Sequence, residues 1–384
     1  MEIVFMTRRE RLMATLKGEP VDRPPVSFYE INGLDEDPHD QDPFNIYNHP
    51  SWQPLIELAR EKSDRIVMRG AVFNSVQPDP VADLTDSETT VRGDRSFTIH
   101  RIRIDPHRVL TMQTRKDKDV NTIWTTEHLL KTKEDLEAFL ELSPVRPHDH
   151  VDKDSVLKAE AELGDSGIVM MDTPDPLCLA ASLFDLGTFT ILALTEQKLF
   201  HRLLERFAEF LYPMIFKAAQ ELPGRLWRIY GPEYASPPYL PPDLFRDYVC
   251  RYDQAIVDAI KQHGGYARIH SHGNLYAILD HIAAMNVDGL DPIEPPPQGD
   301  VQLDYVRRHY GKEWVLFGNL QISGIENLPT PQFATQVSQA LEQGTRYPGR
   351  GFVLMPTACP YGRILEPLTL DNYIKMIDII ETGF

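Results

Sequence analysis

The chain has 384 residues, long for one ordinary domain but common for an α/β barrel carrying insertions. Hydrophobic residues make up 42% and charged residues 25%, which excludes a disordered chain and supports a sizeable core. A formal charge of −18 argues against nucleic acid or an anionic membrane as partner, because both are held by clustered Lys and Arg.

The opening, MEIVFMTRRERLMATLKGEP, has an apolar run too short for a secretory h-region, and no stretch of about 18 apolar residues follows. Runs of Val, Ile, Leu and Phe bounded by turn residues then predict eight strands. In chain order they are VSFYEI (26–31), RIVMRG (65–70), GIVMMD (167–172), LWRIYG (226–231), ARIHSHG (267–273), DGLDPIE (288–294), WVLFGNL (314–320) and GFVLMPT (351–357). Most are too continuously apolar for half-exposed antiparallel strands and suit a parallel sheet covered on both faces.

Helical patterns fall between them. LYAILDHIAAM places Leu275, Ile278, Leu279 and Ile282 on one buried stripe, and PPDLFRDYVCRYDQAIVDAIKQHGG opens with prolines and closes with glycines, as helix ends do. Strands alternating with helices predict an α/β fold, a (β/α)8 TIM barrel forming one domain over 1–384. The gap after the second strand is the longest. SFTIHRIRI, RVLTMQTRK and NTIWTTEHL within it predict a small antiparallel β insertion, a cap over 71–150 that ends in the Pro-rich SPVRPHDHVD. Cys178, Cys250 and Cys359 are odd in number and far apart, so no disulfide framework is read and a reducing cytoplasm is expected.

The active site of such a barrel lies at the C-terminal ends of the strands, and there the residues are polar: Glu30, Arg69, Asp172, Glu233, His270 with His272, Glu294, Asn319 and Cys359. Residues two apart in a strand share a face, so His270 and His272 could turn toward one ion. The pair alone is weak evidence, because a second H-x-H, His148 and His150, lies in the Pro-rich connector among Asp149, Asp152 and Asp154. Glu294 and Cys359, ending strands around the same mouth, complete a donor set of two imidazoles, a carboxylate and a thiolate that suits zinc. Plainer readings stand beside this one. The histidines could be hydrogen-bonding groups in a metal-free pocket, Cys359 a small buried apolar residue, and Glu294 a helix cap. Glu233 could bind a cationic group or act as a base, or be a solvated loop carboxylate; Tyr230, Tyr234 and Tyr239 could line a pocket or simply pack. Cys178 and Cys250, on helical patterns, are assigned to packing.

MTRRERLMATLKGEPVDRPPV resembles the opening of the uroporphyrinogen decarboxylase (URO-D) superfamily, and GPEYASPPYLPPDLFRDYVCRYDQAIVDAIKQHGGYARIHSHGN resembles its long central block. The resemblance implies the barrel fold. Porphyrin decarboxylases of this superfamily carry an R-Q-A-G-R motif after the first strand and an Asp after the second, and FYEINGLDEDPHD and MRGAVFNS hold neither. The methyltransferase branch has H-x-C and a late Cys as zinc ligands. His270 and Cys359 match, His272 stands in place of the usual cysteine, and Glu294 lies at the interval where related methionine synthases place a Glu.

The resemblance therefore implies a zinc-dependent methyltransferase moving a methyl group between a small O-, N- or S-methyl substrate and a corrinoid (cobalamin) on a separate partner protein. Glu233, Glu30 and Asn319 are the expected catalytic residues, and Tyr230, Tyr234, Arg69 and Asp172 the expected substrate-binding ones. Imidazole for thiolate at His272 leaves more positive charge on the zinc, favouring activation of an oxygen or nitrogen methyl donor. A homodimer is among the expected assemblies. The alternatives are a cofactor-free decarboxylase of the URO-D type and a non-catalytic binding barrel.

Overall fold

The computed structural model describes residues 5–74, 84–145, 147–148 and 150–383. The strands in chain order are β1 (Arg65–Gly70), β2 (Val72–Asn74), β3 (Thr85–Arg92), β4 (Arg95–Asp105), β5 (Arg108–Asp117), β6 (Ile123–Glu127), β7 (His150–Asp152), β8 (Gly167–Pro174), β9 (Leu226–Tyr230), β10 (Tyr266–His270), β11 (Gly289–Asp291), β12 (Val315–Leu320) and β13 (Phe352–Pro356). Seven of them form one parallel sheet in the order β1-β8-β9-β10-β11-β12-β13, with helices in most of the crossovers. This is an α/β architecture of the TIM-like kind.

The expected strand at 26–31 is corrected to a single bridge. Val26 pairs in parallel with Leu354 of β13, and the amide of Asp64, just before β1, donates to the Val26 carbonyl at 2.6 Å. Pro24 and Pro25 supply no N–H on one side. On the other, Tyr29 has φ +60° and the amide of Ile31 turns back to the carbonyl of Phe28 at 3.2 Å, so the run cannot extend. Val26, Phe28 and Ile31 are apolar because they are buried, not because they pair.

Alternation along the strands sorts side chains into two layers. Ile66, Ile168, Met170, Leu226, Val315, Phe317, Val353 and Met355 pack together on the inner face, joined by Leu12 and Leu16 from the helix Arg8–Lys17. That helix starts with a capping box in which Thr7 and Glu10 satisfy each other's backbone amides. The intervening residues, such as Val67, Val169, Ile229, Ile269 and Leu290, face the surrounding helices. Nearer the C-terminal ends the inner positions change character, becoming Asp172, Arg228, Arg268, His270 and Asp291.

The long second crossover holds two antiparallel elements. β2 pairs with β7, and β3 to β6 form a four-stranded sheet in sequence order. Three of those four strands coincide with the predicted segments; β3, with the sequence TDSETTVR, is exposed almost throughout and gives no apolar signal. The sheet is tied back to the body by the Arg363 guanidinium, which donates to the Lys118 carbonyl at 3.1 Å, and by the bridge between Val120 and Gly362. Among the described residues no helix is long and apolar enough to cross a membrane.

Candidate active site

His270 ends β10 and lies in register with Asp291 at the end of β11. Its Nδ1 is 2.7 Å from Asp291 Oδ2, and the same carboxylate takes both arms of the Arg268 guanidinium at 2.5 and 2.6 Å. Arg268 also stands 4.4 Å over the Phe317 ring. Burial pushes the Asp291 carboxyl up, but Arg268 and His270 outweigh it and hold it well below the usual carboxylate range. A carboxylate can only accept, so His270 Nδ1 carries the proton between them, and Nε2 is the ring nitrogen left to face a ligand.

The strand stops at His270, so His272 is not its in-strand neighbour but lies in the loop beyond. The two rings nonetheless meet edge to face with centroids 4.7 Å apart. His272 Nδ1 lies 3.2 Å from Glu294 Oε2, which also accepts from the Gly273 amide at 3.0 Å. Burial alone would lower the His272 pKa; the Glu294 carboxylate reverses this and raises it, while Glu294 itself is pulled down by His272 against its own burial. Across the sheet edge, the Cys359 thiol donates to Glu30 Oε2 at 3.1 Å. Its partial burial and the adjacent carboxylate both push the thiol pKa up.

A cleft of about 730 Å³ joins several of these residues: Glu233, Tyr234, Tyr239, His272, Gly273 and Glu294 line it. Phe184 and Phe189 form an apolar wall, and Thr125 of β6 with His128 bring the antiparallel sheet to its edge. The described lining contains two carboxylates and no Lys or Arg. Glu233 is held by the Gly231 amide at 2.9 Å. Burial pushes Tyr234 up to about 12, so its hydroxyl stays protonated.

Other expected residues are placed elsewhere. Asp172 forms a two-pronged pair with Arg228 at 2.7 and 3.0 Å, and Arg228 also donates to the Tyr29 hydroxyl at 2.6 Å and stands 5.5 Å from the Tyr230 ring. Asp172 and Tyr230 border a separate hollow of about 250 Å³. Arg69 is paired with Asp35 at 2.7 Å. Asn319, 8% exposed at the end of β12, lines an adjoining chamber. In the Pro-rich connector, His148 packs against Phe210 and His150 belongs to β7, while Asp149 lies outside the described residues. All three cysteines are free.

Behind Glu233 lie two carboxylates that sequence reasoning missed. Asp175, capping the helix Pro176–Ala181, and Asp253, on the helix Arg251–Gln262, are both fully buried. One Asp175 oxygen accepts from the Cys178 amide at 2.5 Å; its other oxygen and both of Asp253 have no donor. Burial raises both well above the ordinary range, with added repulsion from Asp253 and Glu233 at Asp175 and from Glu233 at Asp253. Gly231 makes this crowding sterically feasible. Its φ is +124°, and a Cβ there would overlap the Asp175 carboxylate and the Cys178 side chain. Gly231→Ala is expected to cost about 2 kcal/mol and to shift the denaturant midpoint accordingly; an unchanged midpoint would show that the turn can relax.

The four expected zinc donors fit that ion in kind, and Asp291 is the sort of outer carboxylate that orients a ligating imidazole. They are not gathered around one point: Cys359 is engaged with Glu30, and among the described residues no three His, Cys, Asp or Glu side chains form an ion-holding group.

Known proteins place this arrangement in a family. The family model of uroporphyrinogen decarboxylase (URO-D) matches residues 119–372, more than half of the chain. A methyltransferase from Methanosarcina mazei is similar in structure with a TM-score of 0.57 and 16% identity, covering 97% of this chain and 98% of that one, which is a likeness of fold. D-psicose 3-epimerase, solved in the presence of D-fructose, gives a TM-score of 0.34 at 10% identity, covering 63% of this chain and 82% of that one. No match is found among the curated proteins. With the family model spanning β6 to the last helix, Pro367–Thr382, and a relative of matching fold along its whole length, the chain belongs to the uroporphyrinogen decarboxylase (URO-D) family.

Proposed function

We propose that this protein is a zinc-dependent methyltransferase that moves a methyl group between a small O-, N- or S-methyl substrate and a corrinoid on a separate protein. The observation that carries the reading is His270 fixed by the buried Asp291 at the C-terminal end of the sheet, with Nε2 left to face a ligand. His270, His272, Glu294 and Cys359 would hold the zinc. When bound, it supplies Lewis acidity at the substrate heteroatom.

The chain's own residues supply the rest. Glu30 Oε2 accepts from the Cys359 thiol at 3.1 Å and so orients its sulfur at the edge of the site. Glu233 orients the substrate from its Gly231 anchor, and Phe184 and Phe189 keep water from that side. Two carboxylates and no Lys or Arg in the described lining favour a neutral or cationic methyl donor over an anionic one. The antiparallel sheet, contributing Thr125 to the cleft, acts as its cap, and a reducing cytoplasm suits the free cysteines.

The same electrostatics disfavour decarboxylation of uroporphyrinogen. That substrate is a polycarboxylate, whereas the two inner arginines, Arg228 and Arg268, are already neutralised by Asp172 and Asp291. Metal analysis tests the proposal. About one zinc per chain is expected in wild type and a loss of it in His270→Ala and Cys359→Ala. Less than stoichiometric zinc in wild type, or unchanged zinc in both variants, overturns it.

A further inference from the structure

Next to the cleft, and sharing Gln298 with it, is a chamber of about 430 Å³ whose described lining contains no charged side chain. In a chain where 25% of residues are charged, such a lining is distinctive. Six glutamines converge on it from three segments: Gln298 and Gln302 after β11, Gln321 after β12, and Gln336, Gln339 and Gln343 from the helix Thr330–Thr345. The last three lie at helical spacing on one stripe, beside the buried face that carries Phe333, Val337 and Leu341. Gln298, Gln302, Gln336 and Gln339 are exposed at the chamber's rim, where glutamine is ordinary, while Gln321 and Gln343 are half-buried and, with Asn319, make the more enclosed part of the lining.

We propose that this chamber binds an uncharged polyhydroxylated ring, a sugar or a cyclitol. A carboxamide donates and accepts at once, as each hydroxyl does, so a ring of amides can satisfy neighbouring hydroxyls in both directions. Asn319, nine-tenths buried at the end of β12, adds a fixed amide to the lining. Pro295, Pro296 and Leu328 offer apolar surface to the C–H faces of such a ring. The volume lies within the range of small-molecule sites. Phosphate or carboxylate ligands find no countercharge there and meet a protein of net charge −18.

The inference goes beyond the methyl-transfer reading and is tested without turnover. Saturation-transfer NMR on the full chain is run with D-glucose, D-galactose, D-ribose, myo-inositol and sucrose, and with glucose 6-phosphate as the anionic counterpart. At least one neutral compound is expected to bind, and glucose 6-phosphate to give no signal. The double variant Gln339→Leu/Gln343→Leu is expected to weaken binding by about tenfold or more, the value of one to two lost hydrogen bonds. Gln332→Leu, on the same helix outside the lining, leaves binding unchanged and controls for folding. Silence from all five neutral compounds, wild-type binding in the double variant, or glucose 6-phosphate binding at least as strongly overturns the proposal.

Discussion

Asp291→Ala is expected to destabilise the protein by about 3–5 kcal/mol, the cost of leaving a buried charge without its partner. Arg268 is 1% exposed and donates twice to Asp291, which is fully buried, so removing the carboxylate strands a guanidinium among Met170, Phe317 and the inner core. His270 loses its Nδ1 acceptor in the same step. Urea unfolding reads this as a lower midpoint at unchanged slope. The double variant Arg268→Met/Asp291→Leu, which removes both charges, is expected to recover most of the loss, since well-packed apolar residues often replace a buried pair at little cost. A single variant within about 1 kcal/mol of wild type would show that water reaches Arg268 and that the pair does not organise the inner face.

The second large effect has the opposite sign. Asp253 is fully buried without a donor, and its pKa is raised, so the folded protein holds a proton there that the unfolded chain has released. The unfolded carboxyl titrates near ~3.9. Above that pH the folded state binds more protons than the unfolded one, so stability falls as pH rises until the folded group ionises. Each pH unit in that window costs about 1.4 kcal/mol per such group. Asp253→Asn removes the term. Relative to wild type, the variant is expected to gain stability as pH rises above the range in which the unfolded carboxyl titrates, at up to that slope. Denaturation at several pH values checks it, and parallel curves would mean that Asp253 is ionised in the folded protein and stabilised by a bound cation or water.

Much of the fold was legible because a parallel sheet covered on both faces needs runs such as IVM, VLF and FVLM, and these sit within β1 and β8, β12, and β13. β3 was not, because TDSETTVR is exposed on almost every residue and has no buried face to announce. The segment 26–31 was overread for the converse reason: burial makes a run apolar whether or not its backbone pairs. At the site, His270, His272 and Glu294 were visible as polar residues ending apolar runs, and the structure sets His272 against each of the other two without gathering all three around one point.

Their partners were harder to see. Asp291 sits inside DGLDPIE, three residues before the carboxylate that drew attention, and only strand register reveals that it faces His270. Asp253 did leave a trace. With Ile256, Val257 and Ile260 it fills one helical stripe, all four buried, so a carboxylate occupied a core position in plain view.

The sheet's two edges are joined at Val26 by a single bridge and the few backbone hydrogen bonds around it. Such a joint is a zipper with one tooth. Glu30 lies just past it on one side, and Cys359 just past β13 on the other, so the thiol and its acceptor grip opposite lips of the seam. Parting the seam would separate Cys359 from the oxygen that holds its hydrogen, and closing it would return them to contact. The Glu30–Cys359 hydrogen bond therefore spans the same seam that Val26 closes, and one displacement across it would lengthen both contacts.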